Sequence, residues 1–282
     1  MGHDTRVFHD NQPNLWLGTP RTARDVVPIT AGLPIGSVPT DADFTPSGLS
    51  RGRLRVIMAK LLVVTSSAAG FVHMLPDRAW SAGQLDAAGT FTDDTTDAQD
   101  IEIDDFGLFT TTANDGFVVA ASIPFNVLSI DQTTASAGGS PIFDYAYWGR
   151  PTTGLASASD AWVVVTPVVS ASFTAAADER LVVLPVPFRA PVATTVASPG
   201  GGIPPARYAV RVRATTAPST TGGSAARIYV GRSVYWQTSV TANTTISLNE
   251  GGEGGRVFDG GVAFGGFIGT AAANNMLYVE YL

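Results

Sequence analysis

The feature that most constrains this chain is a succession of apolar stretches, most of them short, separated by turn residues. In "RYAVRVRATT" (207–216) Tyr208, Val210 and Val212 fall on one side and Arg207, Arg211 and Arg213 on the other. A period of two with one charged face describes a half-buried antiparallel strand. The same style runs through "FVHML", "GLFTTT", "GFVVAAS", "FNVLSI", "IFDYAYW", "RLVVLPVPF", "ARIYVGRSVYWQTSV", "GVAFGGFIG" and "MLYVEYL". There are about fourteen such candidates, spaced by Gly, Pro, Asn and Ser as strands of a sandwich or barrel are. No stretch shows the 3.6-residue apolar period of an amphipathic helix. "LRVIMAKLLVVTSS" (54–67) is apolar on both alternation faces. Its Ala, Leu, Lys and Met would suit a helix, but its closing Val and Thr favour a strand buried on both sides. The expected fold is all-β: antiparallel β-sandwich or jelly-roll-like domains with an extended N-terminal arm. Asn114-Asp115-Gly116, between "LFTTTA" and "FVVAAS", predicts a hairpin turn.

The arm is residues 1–50. Pro13, Pro20, Pro28, Pro34, Pro39 and Pro46 forbid regular helix and interrupt a sheet ladder. Yet it carries Leu15, Trp16, Val26, Val27 and Ile29, more apolar surface than a free tail keeps. These five are the candidate interface residues. The arm either docks on its own domain or, as the stronger expectation, on a neighbouring subunit. Residues 51–188 are read as a β-sandwich or jelly-roll domain. Residues 189–206, "RAPVATTVASPGGGIPPA", are read as a Pro/Gly linker. Residues 207–282 would then be a smaller C-terminal β domain, or would complete a sheet begun earlier.

Composition excludes several chemistries. There is no cysteine, so disulfides, thiolate nucleophiles and cysteine-ligated metals are ruled out. The net charge of −7 without basic clusters predicts no nucleic-acid partner. No run of about 20 apolar residues predicts a membrane-spanning helix, and the polar "MGHDTRVFHDNQPNLWLG" is no secretory signal. Charged residues make up only 15% of the chain, against about 25% in an ordinary globular protein. Thr, Ser, Ala and Gly take their place, which suits a surface covered by neighbours. Lys60 is the one lysine beside sixteen arginines.

The stretch most open to an enzymatic reading is "FTDDTTDAQDIEIDDFG" (91–107), with seven acids between Asp93 and Asp105. It lacks the alternating ligands, central glycine and closing glutamate of a calcium loop. The expectation is a solvated acidic loop leading into an edge strand, "IEID", with its acids outward. His3, His9 and His73 have no nucleophile elbow or zinc-binding motif beside them. "GGEGGRVFDGG" (251–261) precedes a strand pattern, so it reads as a turn, not a phosphate cradle. Asn243-Thr244-Thr245 matches a glycosylation acceptor, discounted for want of a secretion signal. No catalytic residue, cofactor or metal ligand is assigned, and the chain is expected not to be an enzyme. The aromatic clusters Tyr145, Tyr147, Trp148 and Tyr229, Tyr235, Trp236 suit core or interface packing, or sugar stacking if displayed.

The proline-rich arm, the Thr/Ala/Gly/Ser-rich strands, the missing cysteine and the final strand "NNMLYVEYL" together resemble structural proteins of tailed-bacteriophage virions. That resemblance is one of style across the whole chain. It implies a capsid decoration (cement) protein, a minor capsid protein or another β-rich capsid or tail protein, located in the virion and assembled in the host cytoplasm. The implied partners are copies of itself, as a trimer for example, and other virion proteins. The competing reading is a carbohydrate- or receptor-binding β module of a tail or fibre. Whether Trp148 or Trp236 is displayed in a shallow groove or packed inside separates the two.

Overall fold

The computed structural model describes residues 23–29, 54–64, 67–74, 80–99, 105–150, 160–170, 172–175, 179–185, 196–198, 201–203, 208–247, 256–258, 264–268 and 275–281. In chain order the strands begin with β1 (Ala23–Ile29), β2 (Leu54–Val63), β3 (Ser67–Met74), β4 (Trp80–Leu85) and β5 (Phe91–Asp93). A short helix, α1 (Thr95–Gln99), comes next. It is followed by β6 (Phe106–Gly107), β7 (Gly116–Ala121), β8 (Val127–Thr134), β9 (Ile142–Gly149), β10 (Ala161–Val165) and β11 (Glu179–Val183). The remainder are β12 (Val196–Ser198), β13 (Gly201–Ile203), β14 (Tyr208–Thr216), β15 (Ser224–Val240), β16 (Thr244–Ser247), β17 (Arg256–Phe258), β18 (Phe264–Ile268) and β19 (Asn275–Tyr281). The all-β expectation holds, and the stretch from Leu54 that could have been helix is strand β2.

Every pairing between these strands is antiparallel. One six-stranded sheet has the order β10-β9-β14-β7-β4-β5. A second runs β11-β8-β15-β3-β18, with β6 also on β15. A five-stranded sheet runs β1-β19-β2-β16, with β17 on β2. β12 and β13 form a separate hairpin. The stretch beyond the Pro/Gly-rich segment takes the second of its two expected roles. β14 lies between β9 and β7, and β15 lies between β8 and β3, so both complete sheets begun by earlier strands.

The two six-stranded sheets share one core. From the first come Trp80, Phe117, Val119, Tyr145, Tyr147, Val210 and Val212; from the second come Phe106, Leu128, Ile130, Val182, Ile228 and Val230. At one end Phe109, Phe117, Phe143 and Phe173 pack as tilted and edge-to-face rings, with Phe109 4.7 Å from Phe143 and 5.1 Å from Phe173. Such geometry adds to what area burial alone contributes. The outer faces are covered too. Val196 and Ile203 of the β12–β13 hairpin pack on Val118, Ala120, Ala209 and Trp148. Val168 and Val169 pack on Val127, Leu181, Val183 and Tyr229 of the other sheet. β7, "GFVVAA", is buried at every position because both its faces are covered.

Two buried amides tie strands and a loop of the second sheet together. Asn126 Nδ2 donates to the Leu184 carbonyl (3.0 Å) and Ser233 Oγ (2.7 Å), while its Oδ1 accepts from the Ser233 amide (2.9 Å). Gln132 Nε2 donates to the Phe173 carbonyl (2.9 Å), and its Oε1 accepts from Arg180 Nε (3.0 Å).

The turn at Asn114 is present, with a left-handed φ of 70°, but it makes no hairpin. The strand before it, β6, pairs with β15 in the opposite sheet, so the turn carries the chain from one sheet to the other. Of the arm, Ala23–Ile29 is described. It pairs with β19 of the same chain, from Ala23 opposite Tyr281 to Ile29 opposite Asn275, and occupies an edge, where proline is tolerated. These seven residues thus pair within their own chain, the first of the two expected docking modes. Val26, Val27 and Ile29 face Tyr278, Leu277 and Asn275 in the ladder; Leu15 and Trp16 lie outside the described residues.

Candidate functional site

The outer face of the first six-stranded sheet presents β9, β14 and β10 side by side. On this face register sets Trp162 beside Trp148, Val164 beside Ala146, Arg211 beside Ala146 and Arg213 beside Asp144. The alternation that sends Val210 and Val212 into the core brings Arg211 and Arg213 here, as the sequence predicts. What the pattern does not carry is their burial. Arg211 is only 8% exposed, because the hairpin β12–β13 and Trp162 close over the face.

A groove of about 300 Å³ opens at this place, lined by Trp148, Trp162, Arg211 and Arg213 and rimmed by Asn114 and the Asp86–Gly89 turn. The two indoles meet edge to face, with centroids 5.4 Å apart. The Arg211 guanidinium lies 5.0 Å from the Trp162 ring centre, a cation–π distance. Arg213 is committed elsewhere. Its Nε contacts both Asp144 oxygens, at 3.0 and 2.8 Å, and a second nitrogen lies 2.8 Å from Oδ2. Arg211 has no such partner: its Nε is buried without a hydrogen bond, as is the indole nitrogen of Trp148. Burial, then the neighbouring Arg213, lower the Arg211 pKa to about 10, with Asp144 opposing. The group stays charged at neutral pH.

The rim is built firmly. Asp86 accepts from the Thr90 amide (2.7 Å), which together with other turn amides holds its pKa below the usual carboxylate value. Ser198 of β12 donates to the Gly89 carbonyl (2.6 Å) and accepts from the Phe91 amide (3.2 Å), tying the covering hairpin to the turn.

The acidic stretch does a different job. β5 covers the β4 edge from Leu85 to Gly83 and then stops. Beyond it the Asp94 amide donates to the Ala82 carbonyl (3.0 Å), Thr95 Oγ1 accepts from the Ala82 amide (3.0 Å), and Gln99 Nε2 donates to the Trp80 carbonyl (2.9 Å). Side chains of α1 thus satisfy the part of the edge that β5 leaves bare. The edge comes first here and a helical turn follows it, the reverse of a loop leading into a strand; 101–104, the expected "IEID" strand, lies outside the described residues. Burial, then Asp97 and Asp93, raise the Asp94 pKa to about 6. Among the described residues no three His, Asp or Glu side chains come together as metal ligands.

Of the aromatic clusters, Tyr145 and Tyr147 lie in the main core and Tyr229 in the opposite outer cluster. Trp148 is 7% exposed and forms the groove wall. The side chains of His73, Tyr235 and Trp236, the arm histidines and 251–255 lie outside the described residues. Among the described residues no helix is long and apolar enough to cross a membrane. A second depression, lined by Ser136–Pro141 and Thr174, holds no charged group. Sequence reasoning singled out Trp148 but passed over Trp162. Its signal was its place in "AWVVV", an odd position for a large aromatic in an otherwise aliphatic strand.

Comparison with protein-family models, with curated proteins and with solved structures finds no match to this chain.

Proposed function

We propose that this chain is a structural protein of a tailed-phage virion, a capsid decoration (cement) or minor capsid protein that works through subunit interfaces. What supports the reading is the contrast between the two edges of the first six-stranded sheet. The β5 edge is short, acidic and followed by α1, devices that keep a sheet from recruiting another. The β10 edge, "AWVVV", carries no charge or proline, and no described strand lies beyond it. Val164 there is 60% exposed, and so is Ile142, where β9 runs past the end of β10. An uncharged apolar edge of this kind fits pairing with a second copy or a neighbouring virion protein. Val164→Lys places a charge on that edge without touching the core, and sedimentation and electron microscopy of the full chain read the result. The expected outcome is an oligomer weakened at least about tenfold, as a buried apolar contact is lost. A parent protein that stays monomeric and adds to no particle would end the reading.

A carbohydrate- or receptor-binding module of a tail or fibre is the second reading, favoured by the tryptophan–arginine groove.

A further inference from the structure

We propose that the groove between Trp148, Trp162 and Arg211 binds a sugar carrying a carboxylate, of the uronic-acid type. The inference rests on the second reading above and names its ligand; it is independent of the assembly role.

The argument begins with charge. A guanidinium taken out of water is stable only with compensation. Arg211 is buried and its Nε has no hydrogen-bond partner. The carboxylate that acts on it electrostatically, Asp144, is already held by Arg213 through three short contacts. The ring of Trp162 supplies only a cation–π contact. The Arg211 guanidinium therefore has no carboxylate of its own, the ionised Asp86 lying on the rim. A carboxylate matches the planar fork of arginine.

Size and the remaining walls narrow the class. A volume of about 300 Å³ takes one pyranose ring and little more. Indole faces suit the apolar C–H face of such a ring. On the rim, Asn114 can both donate and accept, and Asp86 can accept from hydroxyls. Asp86 also discriminates. Its pKa is lowered, so it is ionised at neutral pH and repels a phosphate dianion more than a single carboxylate. A monoanion rich in hydroxyls meets the guanidinium and the rim at once, and an acidic peptide side chain leaves the rim without partners.

The test uses the full chain and follows the indole N–H signals by NMR during titration with glucuronate, glucose, glucose 6-phosphate and a glutamate-containing tripeptide. Glucuronate is expected to shift the Trp148 and Trp162 signals with a Kd of about 1–10 mM, ordinary for one ring with one charged contact. Glucose should bind at least about tenfold more weakly, since the charged contact is gone. Arg211→Gln should abolish the preference for glucuronate, and Arg211→Lys, which keeps charge and loses the fork, should retain part of it. Unchanged core methyl signals show that each variant folds. Equal binding of glucose and glucuronate would overturn the acidic ligand while leaving a sugar site. Silence from every sugar would overturn both, and tighter binding of the tripeptide or the phosphate would assign the groove to that class instead.

Discussion

Asp94 sits where three carboxylates crowd the start of α1, and its pKa of about 6 has a consequence for stability. The unfolded chain releases this proton near 3.8 and the folded protein holds it to about 6. Its favourable contribution is complete below pH 3.8 and is lost as the pH rises through 6. Asp94→Asn, which keeps the size of the side chain and removes its titration, should therefore match the parent near pH 3.5 and exceed it at pH 7, by about 1 kcal/mol once screening of a half-exposed group is allowed for. Thermal unfolding across that range checks both sign and window. Asn126→Ala is expected to act the other way at every pH. It leaves the buried Leu184 carbonyl and the half-buried Ser233 amide without their partner, at about 2–3 kcal/mol in urea unfolding. At this scale the direction of Arg211 was legible from alternation with Val210 and Val212. Its burial was not, because the covering residues Val196 and Ile203 lie in a segment read as a bare linker.

At the scale of elements, strands were legible wherever one face is buried and the other wet, as in β14. α1 was not, since a five-residue helix is too short to show a period. Its cause is local capping: Asp93 Oδ1 accepts from the Thr95 amide (3.1 Å), and the Asp94 carbonyl accepts from the Ala98 amide (3.1 Å). The turn at Asn114–Gly116 shows the opposite limit. Turn chemistry is written in the residues, but the sheet that receives each flank is decided by tertiary pairing. Thr95→Ala removes the acceptor of the Ala82 amide, at about 1–2 kcal/mol. Adding Gln99→Ala should bare the β4 edge, and light scattering should then report self-association that the parent does not show. Gly222→Ala is expected to be worse than either single change, because a Cβ there meets the Phe109 carbonyl, a backbone atom with nowhere to move.

For the whole molecule, circular dichroism should show strand throughout and far less helix than the roughly one third of an average domain. A helical content above about a quarter would contradict the fold described. Removing residues 1–46 takes away β1 and turns β19 into a free edge. The truncated chain is expected to keep its two six-stranded sheets, visible as unchanged near-ultraviolet dichroism, and to lose solubility as β19 recruits other edges. Loss of all cooperative unfolding would instead show that the β1–β19 ladder holds the core.

That ladder also sets an order of events. β19 lies between β1 and β2, two strands that precede it by a long stretch of chain, so all of that stretch must leave the ribosome before either can find it. Until then β1 and β2 have no common partner, and β2 offers a long apolar strand to anything nearby. Loop closure across so much chain is slow. The five-stranded sheet should therefore form late, together with the β3–β15 and β3–β18 pairings of the second sheet, and a chaperone that shields β2 during translation would raise the yield of folded protein.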